Sequence, residues 1–162
     1  AGADRVIFDK TGTLTRGRLR LRSLTTLGDL DETEVLALAA GMERHSNHPL
    51  AKAFEDVAEP VALPSCRTEA GRGLEAPWRG GQLRLGRSDF ALTERDPRIG
   101  EADLVLSLDG RALARFELAD TLRPEAAAVV AKLRQRGLEP ILISGDSEPA
   151  VAEVARSLGL RQ

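Results

Sequence analysis

Two short apolar runs, each stopped by a small polar turn, lie near opposite ends of this 162-residue chain. Val6-Ile7-Phe8 leads into Asp9-Lys10-Thr11-Gly12-Thr13, and Pro140-Ile141-Leu142-Ile143 leads into Ser144-Gly145-Asp146. Apolar runs this short, bounded by turn residues, read as buried strands. Helical patterns flank the second run. Pro124 opens one, with Ala127, Val130, Ala131 and Leu133 as its apolar positions, and Gly137 closes it. Another begins near Glu148-Pro149 and ends at Leu158-Gly159. Helix, strand, helix calls for a parallel sheet, so the two ends of the chain are expected to build one α/β layer.

The segment between them has a different texture. Thr15 to Leu24 alternates Arg and Leu, the period of a strand with one solvated face. Asp31-Glu32-Thr33-Glu34 has capping-box spacing, and Val35, Leu36, Leu38, Ala39 and Met42 follow as one helical stripe. Pro49 suits the first turn of a second helix, capped by Asn47 or His48 and continuing to Ala58. Residues 66–90 suggest a small antiparallel set, with strands at Cys66–Glu69 and Gln82–Leu85. Asp109-Gly110 between Leu104–Leu108 and Ala112–Leu118 signals a type I′ hairpin. The organisation expected is a discontinuous α/β domain, residues 1–17 and 116–162, with residues 18–115 inserted as an α+β antiparallel-sheet domain.

Composition narrows the function classes. The net charge of −2 offers no basic excess for nucleic acid or an anionic membrane. One Cys excludes an internal disulfide framework and Cys-cluster metal sites within the chain. His45, His48 and Cys66 have no defensible metal-site spacing. No apolar run approaches the roughly 20 residues that span a bilayer.

Chemistry concentrates at Asp9. A carboxylate at the C-terminal end of a parallel strand, facing loop N–H groups, can act as a nucleophile on phosphorus. Loop amides and small hydroxyls suit phosphoryl oxygens. A cation such as Mg²⁺ would bridge Asp9 and the phosphate. If the two strands lie side by side, Ser144 and the Gly145 N–H come near Asp9.

Asp9-Lys10-Thr11-Gly12-Thr13-Leu14-Thr15 resembles the phosphorylation motif of P-type ATPases, whose α/β part is haloacid-dehalogenase-like. The resemblance implies that Asp9 accepts the γ-phosphate of ATP as an aspartyl-phosphate, with Lys10, Thr11 and Thr13 in the same catalytic loop. Thr11 stands where many relatives of the superfamily carry an acid/base Asp; a Thr there cannot deprotonate water, which implies a long-lived phosphoenzyme. Its main-chain carbonyl, with Asp9, is implied in holding Mg²⁺. Ser144-Gly145-Asp146 resembles the family's Thr-Gly-Asp, and Asp120 within Leu118–Pro124 is implied near the nucleotide and hinge.

Glu43 and Ser46-Asn47-His48-Pro49-Leu50 resemble the Ser-Glu-His-Pro-Leu signature of the heavy-metal-transporting branch, with Asn47 in place of Glu. Gly71-Arg72-Gly73 resembles its Gly-x-Gly, and Gly86-Arg87 its second glycine site. There the resemblance implies that Glu43, His48, Gly71, Gly73, Gly86 and Arg87 surround adenine and ribose. Segments around His48 and Leu83–Phe90 resemble copper-exporting members associated with cytochrome oxidase assembly, with zinc or cadmium export as the alternative.

The resemblance further implies ATP and Mg²⁺ as cofactors and the transmembrane and actuator domains of a parent pump as partners. It places the chain on the cytoplasmic face of a bacterial inner membrane. The family's Gly-Asp-Gly-x-Asn-Asp segment does not occur in these residues. The phosphorylation domain is therefore expected to be incomplete, with a bare sheet edge beside the Asp9 strand: a second chain covers it, a symmetry mate does, or the sequence is itself a part of a longer one. The isolated chain is expected to bind ATP but to autophosphorylate poorly. The competing readings are a soluble haloacid-dehalogenase-like phosphatase, which Thr11 opposes, and a non-catalytic ATP-binding module.

Overall fold

Alternation of side chains across a strand explains how the two terminal runs pack. In a computed structural model, which describes residues 4–161 except 101, 103 and 145–147, β1 (Arg5–Asp9) and β8 (Glu139–Ile143) pair in parallel, with Asp9 opposite Ile143. Phe8 and Leu142 turn to one face, where α3 (Ala126–Gln135) and α4 (Glu148–Leu158) cover them with Val130, Val154, Ala155 and Leu158. Ile7 and Ile143 turn to the other face and are 63% and 56% exposed. Beyond β8, Arg161 pairs in parallel with Ile141, so α4 returns the chain to the same sheet. Among the described residues, β1 pairs only with β8.

The α/β expectation is met, with local differences. The buried positions of α3 are Ala126 and Val130, whereas Ala127 and Ala131 are exposed. The helix starts at Ala126, after a turn in which the Ala126 N–H reaches the Arg123 carbonyl, and this sets which stripe faces inward. Gly137 ends α3 at φ +78, and the Leu138 N–H reaches back to the Leu133 carbonyl, the expected glycine C-cap.

The chain divides into two compact units, residues 1–18 with 119–162, and residues 19–118. The second unit carries a six-stranded sheet in the order β2-β7-β6-β5-β4-β3: β2 (Thr15–Thr26), β3 (Arg67–Glu69), β4 (Gly73–Trp78), β5 (Gly81–Gly86), β6 (Leu104–Leu108) and β7 (Arg111–Leu122). From β3 to β7 each strand pairs antiparallel with the next in this order. The Asp109-Gly110 turn takes φ +50 and +76, as a type I′ turn requires.

On one sheet face lies α1 (Glu32–Glu43), whose Val35, Leu38 and Met42 share a core with Leu74, Leu83, Leu85, Leu106 and Phe116. Its capping box is complete: the Glu34 N–H bonds Asp31 Oδ1 at 2.9 Å and the Asp31 N–H bonds Glu34 Oε2 at 3.0 Å. The short α2 (Ser88–Ala91) brings Ala91 against Val105 and Ile99 in a smaller cluster.

Three elements depart from expectation. The helix after Pro49 is a 3-10 turn ending at Phe54 rather than a helix to Ala58; the Val57 N–H bonds the Phe54 carbonyl, and the chain then passes Pro60. Strand β4 is hidden in sequence because Gly73 and Pro77 look like breakers. Helix α2 is a single turn that no periodicity announces.

Candidate functional site

Asp9 is the last residue of β1, and its carboxylate is exposed. The loop that follows, Lys10–Leu14, is one π-type turn closed by the Thr15 N–H on the Lys10 carbonyl. Thr15 is fully buried and locks this turn twice more: its hydroxyl donates to the Lys10 carbonyl at 3.1 Å and accepts from the Gly12 N–H at 3.3 Å. Gly12 sits at φ +78, a conformation that favours glycine. Asp9 itself caps none of the turn's N–H groups, which leaves its oxygens available. Lys10 is buried, Thr13 exposed, and Ser144, one step past the register partner of Asp9, is half-buried. Gly145 and Asp146 lie outside the described residues, as does the side chain of Thr11.

A Mg²⁺ ion at Asp9 would have to be held by these donors. No group of three or more His, Cys, Asp or Glu side chains converges among the described residues. Mg²⁺, however, is held in phosphoryl-transfer sites by one or two carboxylates, with phosphate oxygens and water completing the shell. An exposed, uncapped Asp9 offers one such carboxylate and fits that mode.

In the second unit Glu43 ends α1 with 5% of its surface exposed, and its Oε2 has no hydrogen-bond partner among the described residues. Burial pushes its carboxyl up to about 7, opposed by a hydrogen bond from Ser46. Ser46 joins two predicted residues, because its Oγ also accepts the His48 N–H at 3.0 Å. His48 Nδ1 in turn accepts the Leu50 N–H at 3.3 Å, so the exposed ring caps the 3-10 turn. Glu43 opens on a cleft of about 240 Å³ lined also by Ser46, Lys52, Phe54, Val57 and Pro60. Burial, then Glu43 and Glu75, push the Cys66 thiol up.

The predicted glycines gather at one place. Gly73 and Gly86 are register partners. A Cβ on Gly73 would lie 2.3 Å from the Leu85 carbonyl oxygen, and one on Gly86 2.3 Å from that of Arg72. The Arg87 N–H bonds the Arg72 carbonyl, and the exposed Arg87 guanidinium pairs with Asp89. Gly71, at φ +71, meets nothing within 4 Å. None of these residues lines the Glu43 cleft. Asp120 is engaged in the first unit, where its Oδ1 accepts the Arg18 N–H at 2.9 Å while the Thr121 hydroxyl donates to the Arg18 carbonyl.

Sequence reasoning did not single out Ser46, Thr15 as a loop anchor, Arg123 (described below) or Gly41, where a Cβ would strike the Val61 carbonyl at 2.2 Å. Ser46 and Thr15 stand inside recognisable motifs, which was the available signal. Arg123 lies within the Leu118–Pro124 segment, where only Asp120 was singled out, and Gly41 had no signal.

Over residues 3–162 the chain matches the haloacid dehalogenase-like hydrolases, and it belongs to that family. Within it, the chain corresponds to the ATP-binding and phosphorylation domain of the P1B-type heavy-metal ATPases. It is 39% identical to the nitrogen fixation protein FixI of Rhizobium leguminosarum bv. viciae, over 99% of this chain and 21% of that protein. It is 37% identical to a probable copper-transporting ATPase, SynA, of Synechococcus, over 95% and 21%. Among solved structures it resembles a zinc-transporting PIB-type ATPase, with 29% identity, TM-score 0.80, and 98% of this chain and 28% of that one covered. It also resembles the catalytic domain of the CPx-ATPase CopB-B, with 27% identity, TM-score 0.77, and 99% and 60% covered. The chain thus spans about a fifth of the length of the curated relatives it matches. No helix among the described residues is long and apolar enough to cross a membrane.

Proposed function

We propose that this chain is the part of a heavy-metal pump that binds ATP and accepts its terminal phosphoryl group. The pump would act from the cytoplasmic face of a bacterial inner membrane, beside transmembrane and actuator domains, with Cu(I) as the exported ion. The observation that carries the reading is Asp9, an exposed and uncapped carboxylate at the C-terminal tip of a parallel strand, followed by a tightly closed loop.

An Asp9 oxygen attacks the γ-phosphorus of ATP, the bond from that phosphorus to the β–γ bridging oxygen breaks, and ADP leaves. Water later cleaves the aspartyl-phosphate, releasing inorganic phosphate and restoring the carboxylate. The Thr13 hydroxyl and the Ser144-Gly145-Asp146 turn hold phosphoryl oxygens, and Lys10 offsets their charge. Mg²⁺, held by Asp9 and the Thr11 carbonyl, would supply charge neutralisation between the two anions.

The inserted unit, residues 19–118, brings the nucleotide. The orphaned Glu43 Oε2 is an acceptor waiting for a donor, and the exocyclic amine of adenine is one. His48 offers its ring, and the exposed Gly71 and Arg87, beside the half-buried Gly73 and the buried Gly86, are the groups assigned to ribose, with Asp120 at the hinge side. Copper is favoured by the motif segments around His48 and Leu83–Phe90 and by the Synechococcus relative, a probable copper-transporting ATPase. The zinc transporter among the solved structures supports the alternative cargo.

The test uses the 162-residue chain for ATP binding by calorimetry and the parent pump for chemistry. Incubation with γ-labelled ATP and Mg²⁺ should give a hydroxylamine-labile label that Asp9→Asn abolishes. A label that survives this substitution refutes the assignment. Stimulation of turnover by Zn²⁺ or Cd²⁺ but not Cu(I) would overturn the cargo.

A further inference from the structure

We infer that Arg123 is a positioning residue for the phosphoryl-acceptor loop and acts through the Gly12–Thr13 peptide group. This rests on the reading of Asp9 as the acceptor. The Gly12 main chain is held from two sides. Its N–H donates to the buried Thr15 hydroxyl at 3.3 Å, and its carbonyl accepts Arg123 Nη2 at 2.9 Å. The Arg123 backbone N–H also donates to the Leu14 carbonyl at 2.8 Å, so one residue grips the loop at two points.

Packing cannot replace these bonds. A Cβ built on Gly12 meets no atom within 4 Å, so no side chain presses on the loop there. A glycine at φ +78 can also turn its peptide planes at little steric cost. The loop therefore needs hydrogen bonds to choose one orientation.

The consequence follows from peptide planarity. The Gly12 carbonyl and the Thr13 N–H belong to one trans peptide plane and point in opposite directions. With its carbonyl held by the guanidinium, that plane presents the Thr13 N–H on the side away from Arg123. An amide fixed before the phosphoryl group arrives stabilises developing charge without reorganising. Arg123 lies one residue beyond the end of β7, the strand that leaves the inserted unit. The brace on the acceptor loop is thus built on the return connection.

The 162-residue chain with Arg123→Met and with Arg123→Lys tests the brace directly. In wild type the Gly12 and Thr13 amide resonances should be single and sharp. In the Met variant they should shift or broaden by exchange while α3 amides stay unchanged, and Lys, whose ammonium can still donate, should restore them. In the parent pump, Arg123→Met should slow Asp9 labelling by about tenfold or more, with the half-saturating ATP concentration unchanged, because misplacement of a catalytic group by ~1 Å carries costs of that order. Lys should recover most of the rate.

Unaltered loop resonances in a folded Met variant would overturn the inference. So would a loss of ATP affinity matching the loss of rate, which would make Arg123 a nucleotide ligand. If the wild-type pump takes no label on Asp9, the acceptor reading fails, and the resonance comparison still decides whether Arg123 holds the loop.

Discussion

Replacing Glu43 with Gln isolates what a buried carboxyl does to the insert. Burial raises this group from 4.5 to about 7, and the Ser46 hydrogen bond offsets only part of the rise. The folded state therefore holds the proton more tightly than the unfolded state. Below about 4.5 both states are protonated and ionisation costs nothing. As pH rises from there to about 7, the unfolded state releases its proton first, and stability falls until the folded carboxyl ionises too. A shift of this size amounts to at most about 3 kcal/mol above pH 7. Gln has nearly the same shape and no charge to desolvate. Urea unfolding of both proteins should give similar stabilities near pH 4.5, and a Gln variant more stable by up to about 3 kcal/mol at pH 8.5, with equal m-values. ATP binding should show the reverse dependence. An ionised carboxylate is the better acceptor for an adenine amine, so the affinity ratio of wild type to Gln should grow as pH rises through about 7. The γ-phosphate's own ionisation is common to both proteins and cancels in that ratio. A stability difference that does not move with pH would refute the account of Glu43 as a carboxyl held out of water. An unmoving affinity ratio would refute its contact with adenine.

The glycines make a sharper pair. Gly73→Ala should destabilise the insert by about 2–4 kcal/mol, since its Cβ meets the Leu85 carbonyl and the Gly86 Cα. Gly71→Ala, which clashes with nothing, should cost only about 1 kcal/mol for its left-handed backbone; thermal melts of the two variants decide. Asp31→Ala removes half of a complete capping box and should cost about 1 kcal/mol in denaturant unfolding, with ATP affinity unchanged. Ser46→Ala removes the one bond that lowers the Glu43 carboxyl, so the upper end of the pH window of stability loss should move upward while its lower end stays at the unfolded value, as read from unfolding at closely spaced pH values.

Local rules carried much of the fold. The capping box at Asp31, the Asp109-Gly110 turn, the Gly137 stop and the two apolar strands each depend on residues within a few positions of one another, and each formed as its residues dictate. The parallel pairing of β1 with β8 followed from helices flanking the second strand. Errors arose where tertiary contacts overrode local preference. Strand β4 holds Gly73 and Pro77 because its partner β5 needs glycine opposite Gly86, and because Pro77 stands exposed near the hairpin end, opposite Gln82. The register of α3 moved because the turn at Arg123 sets where the helix starts.

The site divides along the same line. Asp9, Thr13, Glu43 and His48 stand out as candidates because their chemistry sits in contiguous strings. What arranges the strings is not contiguous. Arg123 reaches Gly12 across 111 positions and Arg18 reaches Asp120 across 102, and in each case a main-chain group is one of the two partners. A main-chain carbonyl or N–H has no letter in the sequence, so half of each contact is invisible there by nature. Because the insert interrupts the α/β unit between β1 and α3, residues that shape the acceptor loop have to come from both sides of the interruption. The more a loop depends on hydrogen bonds rather than packed side chains, as at Gly12, the less of its geometry any linear pattern can carry.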